Sequence, residues 1–217
     1  MRTLAILPVK RFELAKQRLS ERLPPEHREA LARAMVEDVL HTLIASSDLA
    51  GIMVITNEPA VAALAMDLGA IVEPDSREAG QNIAVSGGIA YALQEGIERV
   101  LLVPGDCPAL ASDQLSALLA QPVIGPRTVV IVPDRHGTGT NALLLEPPNV
   151  IAPAFGPGSF ERHRQLAAET HAVCATVRLP TLMLDIDTPE DLAALLAGAA
   201  DSAPRTRAVL AVALAAR

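Results

Sequence analysis

The chain has 217 residues, half of them hydrophobic, 2% aromatic and none Trp, with a net charge of −7. That length suits one domain with a full core, and the core must be Leu, Val, Ile and Ala, the palette of parallel strands covered by Ala-rich helices. The acidic balance argues against broad nucleic-acid binding, which needs a basic face, and no apolar run approaches the ~20 residues of a membrane-spanning helix.

Thr3–Val9 reads as the first strand, followed by a basic stretch holding Lys10, Arg11, Lys16, Arg18 and Arg22. Pro24-Pro25-Glu26 opens a long helix, whose buried face is marked by Leu31, Met35, Val39 and Leu43 at every fourth position. Gly51–Thr56 is a buried strand. A helix over 59–68 follows, stopped by Gly69, and then a short strand over 70–72. Gly80-Gln-Asn82 leads a helix to about Glu95. The strand from Arg99 breaks at Pro104-Gly105-Asp106-Cys107-Pro108, and Ser112 is expected to cap the next helix.

Thr128–Pro133 and Asn141–Leu145 read as strands five and six. Gly156-Pro-Gly-Ser159 introduces a helix over 160–169. Val173–Val177 and Thr181–Ile186 read as later strands, and Thr188-Pro-Glu-Asp191 opens a last helix. Strands alternating with helices predict an α/β sandwich with a mostly parallel, mixed sheet. The domain is expected to span residues 1–197, with 198–217 a helical or partly disordered tail. Cys107 and Cys174 give neither a disulfide framework nor metal-ligand spacing, so a reducing cytoplasm is the expected setting. Met1 runs straight into a strand, and no signal peptide is expected.

In such a sheet a ligand binds beyond the carboxyl ends of the strands, where the basic stretch, Gly105-Asp106 and Gly137-Thr-Gly-Thr140 all fall. Lys10 and Lys16 are the chain's two lysines among eighteen basic residues. A lysine is a compact point charge where arginine is a planar fork, and a pair in the loop after strand one suits a phosphate chain as well as it suits a solvated surface. Asp106, held at a strand end by a glycine, is a typical Mg²⁺ carboxylate or an ordinary turn residue. Asp185 and Asp187 alternate along one side of a strand and are candidates to complete a metal site, with Asp187 also readable as a helix cap. Gly137-Thr-Gly-Thr140 and Gly156-Pro-Gly-Ser159 offer the backbone donors of anion sites, although neither matches a P-loop. Of the histidines only His136 falls beside such a loop, His163 reads as solvated, and Cys107 has no histidine placed to activate it. Cys174 reads as strand core.

Taken together, Leu7-Pro-Val-Lys10, Ala15-Lys-Gln-Arg-Leu19, Gly80-Gln-Asn82, Gly105-Asp-Cys-Pro-Ala-Leu110, Gly137-Thr-Gly-Thr-Asn141, Phe155-Gly-Pro-Gly-Ser-Phe160 and Asp185-Ile-Asp-Thr-Pro-Glu-Asp-Leu192 resemble the guanylyltransferases of deazaflavin coenzyme F-420 biosynthesis. These enzymes activate phosphoenolpyruvate or 2-phospholactate with GTP. The last run is shared more widely, with molybdopterin and sugar nucleotidyltransferases. The resemblance implies a single Rossmann-like nucleotidyltransferase domain. It implies Mg²⁺ on Asp106, Asp185 and Asp187, GTP against Pro8, Lys10, Lys16, Gly80 and Asn82, and the acceptor against Thr138, Gly156 and Ser159. Lys10, Lys16 and Asp106 would carry the catalysis. The implied partners are GTP and a three-carbon phosphate (phosphoenolpyruvate, 2-phospholactate or 3-phosphoglycerate), with a homodimer as the candidate assembly. Another nucleotidyltransferase of the molybdopterin or sugar-phosphate type, or a silent nucleotide-binding module, stays open. The first alternative usually opens with a glycine-rich Leu-Ala-Ala-Gly-Gly loop where this chain has Leu7-Pro-Val-Lys10.

Overall fold

Along β1 (Thr3–Val9), Leu4 and Ile6 join one buried cluster and Ala5, Leu7 and Val9 join another. A strand hidden on both faces lies inside a sheet with helices on either side. The computed structural model shows that arrangement for residues 1–75 and 80–215, those it describes. The other strands are β2 (Gly51–Thr56), β3 (Ile71–Glu73), β4 (Arg99–Leu102), β5 (Thr128–Pro133), β6 (Thr140–Glu146) and β7 (Val173–Thr176). They form one seven-stranded sheet in the order β3-β2-β1-β4-β6-β5-β7. β6 runs antiparallel to β4 and β5, and the remaining pairs are parallel. Reversing β6 places its first residues, Thr140 and Asn141, at the edge where β1, β4 and β5 end.

The helices are α1 (Pro25–Ile44), α2 (Pro59–Asp67), α3 (Gln81–Gln94), α4 (Ser112–Leu119), α5 (Ser159–Glu169), α6 (Pro189–Ala197) and α7 (Pro204–Ala215). α3 and α5 cover the Leu4/Ile6 face through Val85, Ile89 and Ala167, and the other five helices cover the opposite face. On α1 the expected stripe of Leu31, Met35, Val39 and Leu43 is buried throughout. Each such side chain contributes about 1.5–3 kcal/mol relative to exposure. No helix among the described residues is long and apolar enough to cross a membrane.

Three sequence expectations are corrected. Residues 181–186 form no strand: the segment is held by single contacts, Leu182 C=O accepting from Asn141 Nδ2 and Ile186 N–H donating to Asp106 C=O, in place of a ladder. The residue before α4 is Ala111, not Ser112, and its amide is satisfied from a distance by Thr181 Oγ1 at 3.2 Å. Cys174 is exposed, because β7 is an edge strand with only partial cover.

Within the expected tail, Pro204–Ala215 folds as α7 against α1, with Leu210 and Ala213 in the shared core. Its start is held by the buried carboxylate of Asp38 on α1. One Asp38 oxygen accepts from Thr206 N–H at 2.9 Å and Thr206 Oγ1 at 2.8 Å, the other from Arg205 N–H at 3.2 Å. Deleting a buried acceptor strands its donors at about 1–3 kcal/mol, and at this chain length each kcal/mol moves Tm by roughly 2–4 °C. Asp38→Ala is therefore expected to lower Tm by about 2–12 °C in a calorimetric scan.

Candidate active site

Gly105 brings the end of β4 against α1. A Cβ built there would stand 2.8 Å from Val36 Cγ2, closer than real Cβ contacts come. The following residue, Asp106, can thus sit over the sheet edge. Its backbone carbonyl takes the Ile186 amide at 2.9 Å, and Ile186 is fully buried. Asp185 and Asp187 flank this anchor, and with Asp106 they line one cleft. Asp187 is not the cap of α6. Thr188 is, in a reciprocal capping box with Asp191, whose carboxylate also takes the Asp187 amide at 3.0 Å. The Asp187 side chain is left for the cleft.

Lys16 enters that cleft from the loop after β1. Its backbone is left-handed, with φ of 51°, a conformation that costs a residue with a Cβ about 1–2 kcal/mol. Its Nζ lies 2.8 Å from Asp106 Oδ2 and 2.8 Å from Asp187 Oδ1, and Arg18 Nη1 stands 3.8 Å from the other Asp187 oxygen. Burial alone would lower the Lys16 pKa, but the two carboxylates outweigh it and hold the ammonium charged. Asp185 is pushed up by burial and by the neighbouring Asp106 and Asp187, against a hydrogen bond from Asn141 Nδ2 at 3.1 Å. No preassembled cluster of three His, Cys, Asp or Glu ligands exists among the described residues, and the Lys16 ammonium bridges two of the acids. The donor set still suits a hard cation. Three carboxylates line the cleft, and the bridged oxygens of Asp106 and Asp187 stand no more than twice 2.8 Å apart.

On one side of Asp106 is a cavity of about 250 Å³ lined by Pro8, Lys10, Lys16 and Gln81. Gly80, with φ of 105°, precedes α3 and lines an adjoining hollow that also holds Lys10. On the other side is a cavity of about 470 Å³ lined by His136, Thr138, Gly156, Ser159, Asp185 and Asp187. Its two loops are joined by Phe160 N–H donating to Thr138 C=O at 3.2 Å. Asp134 braces Thr138 by accepting its amide at 2.9 Å. Gly156 and Gly158 have φ of 115° and 72°, which a side chain rarely tolerates, so the bend before Ser159 depends on them.

Two residues have partners that no local pattern announced. The Asn82 side chain is held by the loop before α5: Oδ1 accepts Phe155 N–H at 2.8 Å, and Nδ2 donates to Phe155 C=O at 3.2 Å. His163 is not solvated but wholly buried. Its Nε2 accepts the Ala154 amide at 2.9 Å, so the ring proton sits on Nδ1 and donates to Thr140 Oγ1 at 3.0 Å. Burial, aided by Arg162, lowers its pKa from 6.5 to about 4.

Residues 3–207 match the family described as guanylyl transferase CofC like. The chain belongs to that family. A relative from Conexibacter woesei, named phosphoenolpyruvate guanylyltransferase, is 46% identical over 97% of this chain and 96% of its own. One of the same name from Sphaerobacter thermophilus is 37% identical over 88% and 91%. Among solved structures, a Desulfovibrio desulfuricans protein described as a nucleotide-diphospho-sugar transferase superposes with a TM-score of 0.78 at 18% identity, covering 99% of this chain and 96% of its own. That likeness shows the fold: a single Rossmann-like sheet with one reversed strand.

Within this guanylyl transferase family member, Pro8, Lys10, Lys16, Asp106, Thr138, Gly156, Ser159, Asp185 and Asp187 line two cavities that meet at Asp106, while Asn82 lines neither and bonds Phe155, which lines the second. Sequence reasoning passed over Gln81, which lines both cavities, and Asn141, which holds Asp185. It misread His163, whose partners come from β6 and from the loop before α5, so no local pattern announces it.

Two measurements check this geometry. Gly105→Ala forces Cβ into Val36 and is expected to cost about 1–3 kcal/mol in urea unfolding. For His163, the folded pKa lies below the unfolded one, so the unfolded state binds more protons between about pH 6.5 and 4. Its contribution is complete above about pH 6.5 and is lost as pH falls through that window, at up to ~1.4 kcal/mol per pH unit. His163→Gln, which cannot titrate, is expected to show a flatter loss of stability than wild type over the same range.

Proposed function

We propose that this chain transfers GMP from GTP to the phosphate of phosphoenolpyruvate, releasing pyrophosphate, as a step of coenzyme F-420 biosynthesis in the cytoplasm. The observation that carries the reading is the meeting of Asp106, Asp187 and the Lys16 ammonium at 2.8 Å contacts, between a lysine-lined cavity and one lined by glycine and hydroxyl residues. Family membership and relatives named for that acceptor support it.

GTP lies along Pro8, Lys10 and Gly80 with its triphosphate toward Lys16. The acceptor lies against Thr138, Gly156 and Ser159. An oxygen of its phosphate attacks the α-phosphorus in line, a new P–O–P link forms, and the bond to the β-phosphate oxygen breaks. A phosphate monoester has a second pKa of about 6, so the nucleophile is already ionised near neutrality and no residue need take a proton. The chain agrees with that economy: His163 is buried and engaged at both nitrogens, and burial and the Asp106 charge push the Cys107 thiol well up. What the site must overcome is repulsion between two polyanions. Mg²⁺, held by Asp106, Asp185 and Asp187, would supply charge neutralisation between them. Lys10 and Lys16 add fixed positive charge, and Lys16 takes up charge growing on the departing pyrophosphate. Catalysis is thus positioning plus electrostatics.

The test is incubation with each nucleoside triphosphate, Mg²⁺ and a panel of phosphoenolpyruvate, 2-phospholactate, 3-phosphoglycerate and sugar phosphates, with mass detection of products. A guanylylated three-carbon phosphate formed from GTP alone is expected, and products with sugar phosphates only would overturn the reading. Asp106→Asn is expected to lower turnover by about 10²–10³-fold, the scale for one lost electrostatic stabiliser, while its thermal unfolding stays near wild type. Wild-type rates in that variant would remove Asp106 from the mechanism.

A further inference from the structure

The loop from Ala154 to Pro157 belongs to no helix or strand, yet its backbone groups are held one after another by side chains. His163 takes the Ala154 amide, Arg162 Nη2 donates to the Ala154 carbonyl at 2.9 Å, and the Asn82 carboxamide satisfies both polar groups of Phe155. His163 and Arg162 come from α5, which the loop itself leads into. Asn82 alone reaches across from another part of the chain, 73 residues away. It stands second in α3, directly after Gln81, which lines both cavities, and in the same turn as Ala84, which lines the lysine-side cavity. One helical turn therefore faces the nucleotide cavity with two residues and grips the acceptor loop with a third.

We infer that Asn82 is a positioning residue that couples the two substrates: a nucleotide that steadies the first turn of α3 also steadies the bend at Gly156 and Ser159. The inference rests on the guanylyltransferase reading of this site. Loops without ladder hydrogen bonds sit at the low-stability end of a protein, so ordering this one has an entropy cost that the first ligand can bear for the second. Linkage then requires reciprocity. GTP raises acceptor affinity, and acceptor raises GTP affinity by the same factor, on the scale of about 5–150-fold known for coupled sites. Asn82 would touch neither substrate.

The experiment measures phosphoenolpyruvate binding by calorimetry with and without α,β-methylene GTP, which cannot be cleaved at the reacting bond, for wild type, Asn82→Ala and Asn82→Asp. The aspartate keeps an acceptor for Phe155 N–H but turns an oxygen toward Phe155 C=O. In wild type the analogue is expected to tighten binding at least about fivefold. In both variants that factor is expected to fall toward one, acceptor KM to rise by about tenfold, and kcat at saturation to stay within about twofold of wild type. Hydrogen exchange gives a second readout. The analogue should slow the Phe155, Gly156, Gly158 and Ser159 amides in wild type but not in Asn82→Ala. A coupling factor that survives Asn82→Ala, or a wild type with none, overturns the inference. Should Asn82→Ala fail to fold, Asn82→Asp and the wild-type factor decide it. A wild type that transfers no GMP to any three-carbon phosphate instead removes the functional reading, and this inference with it.

Discussion

One ammonium holds the site together. Lys16 Nζ reaches Asp106 and Asp187 at equal distance, and these residues lie 90 and 171 positions away in the chain. An ion pair taken out of water is weak evidence for stability, since desolvation cancels much of the attraction. Here the lysine also adopts a left-handed backbone. Such strain persists only where the surrounding structure over-determines it, as the two ion pairs do here. The same three groups give the proposed chemistry its two requirements, acids that attract a hard cation and a cation that faces phosphate.

Reversal of β6 is the topological condition for that meeting. Were β6 parallel to its neighbours, Thr140 and Asn141 would lie at the opposite edge of the sheet, away from Asp106. Because it is antiparallel, Asn141 can hold both the Leu182 carbonyl and the Asp185 carboxylate. The segment carrying Asp185 and Asp187 needs no strand of its own. Ile186 is anchored by one backbone bond and full burial, which sets the two acids on either side of it.

Beside the cavity lined by Thr138, Gly156 and Ser159 the structure favours side chains over backbone ladders. His163, Arg162 and Asn82 satisfy the backbone groups of a loop that must bend through two left-handed glycines. A neutral, fully engaged imidazole does this without bringing a titrating charge near neutral pH into the loop. The cost is that three side chains, two from α5 and one from α3, must all be in place before the loop has one shape.

Most elements were legible because their signals are local. The continuous apolar runs of β1 and β2, the four-residue stripe on α1, and glycine or proline at the element ends depend on neighbours a few positions apart. Residues 181–186 were misread because an apolar run next to an acidic pair looks the same whether or not a partner strand is beside it. His163 was misread, and the Asn82–Phe155 bonds went unforeseen, for a related reason, since the partners lie on other elements. By itself the sequence determined an α/β sandwich, the family, and which acids, lysines and glycine loops were available at strand ends. Only the tertiary structure decided that Lys16 sits between Asp106 and Asp187, that α6 is capped by Thr188 and not by Asp187, and that Asn82 bonds the backbone of Phe155. Periodicity is a property of the chain, whereas a hydrogen bond or ion pair between distant residues exists only after packing has chosen which ends of the strands share an edge.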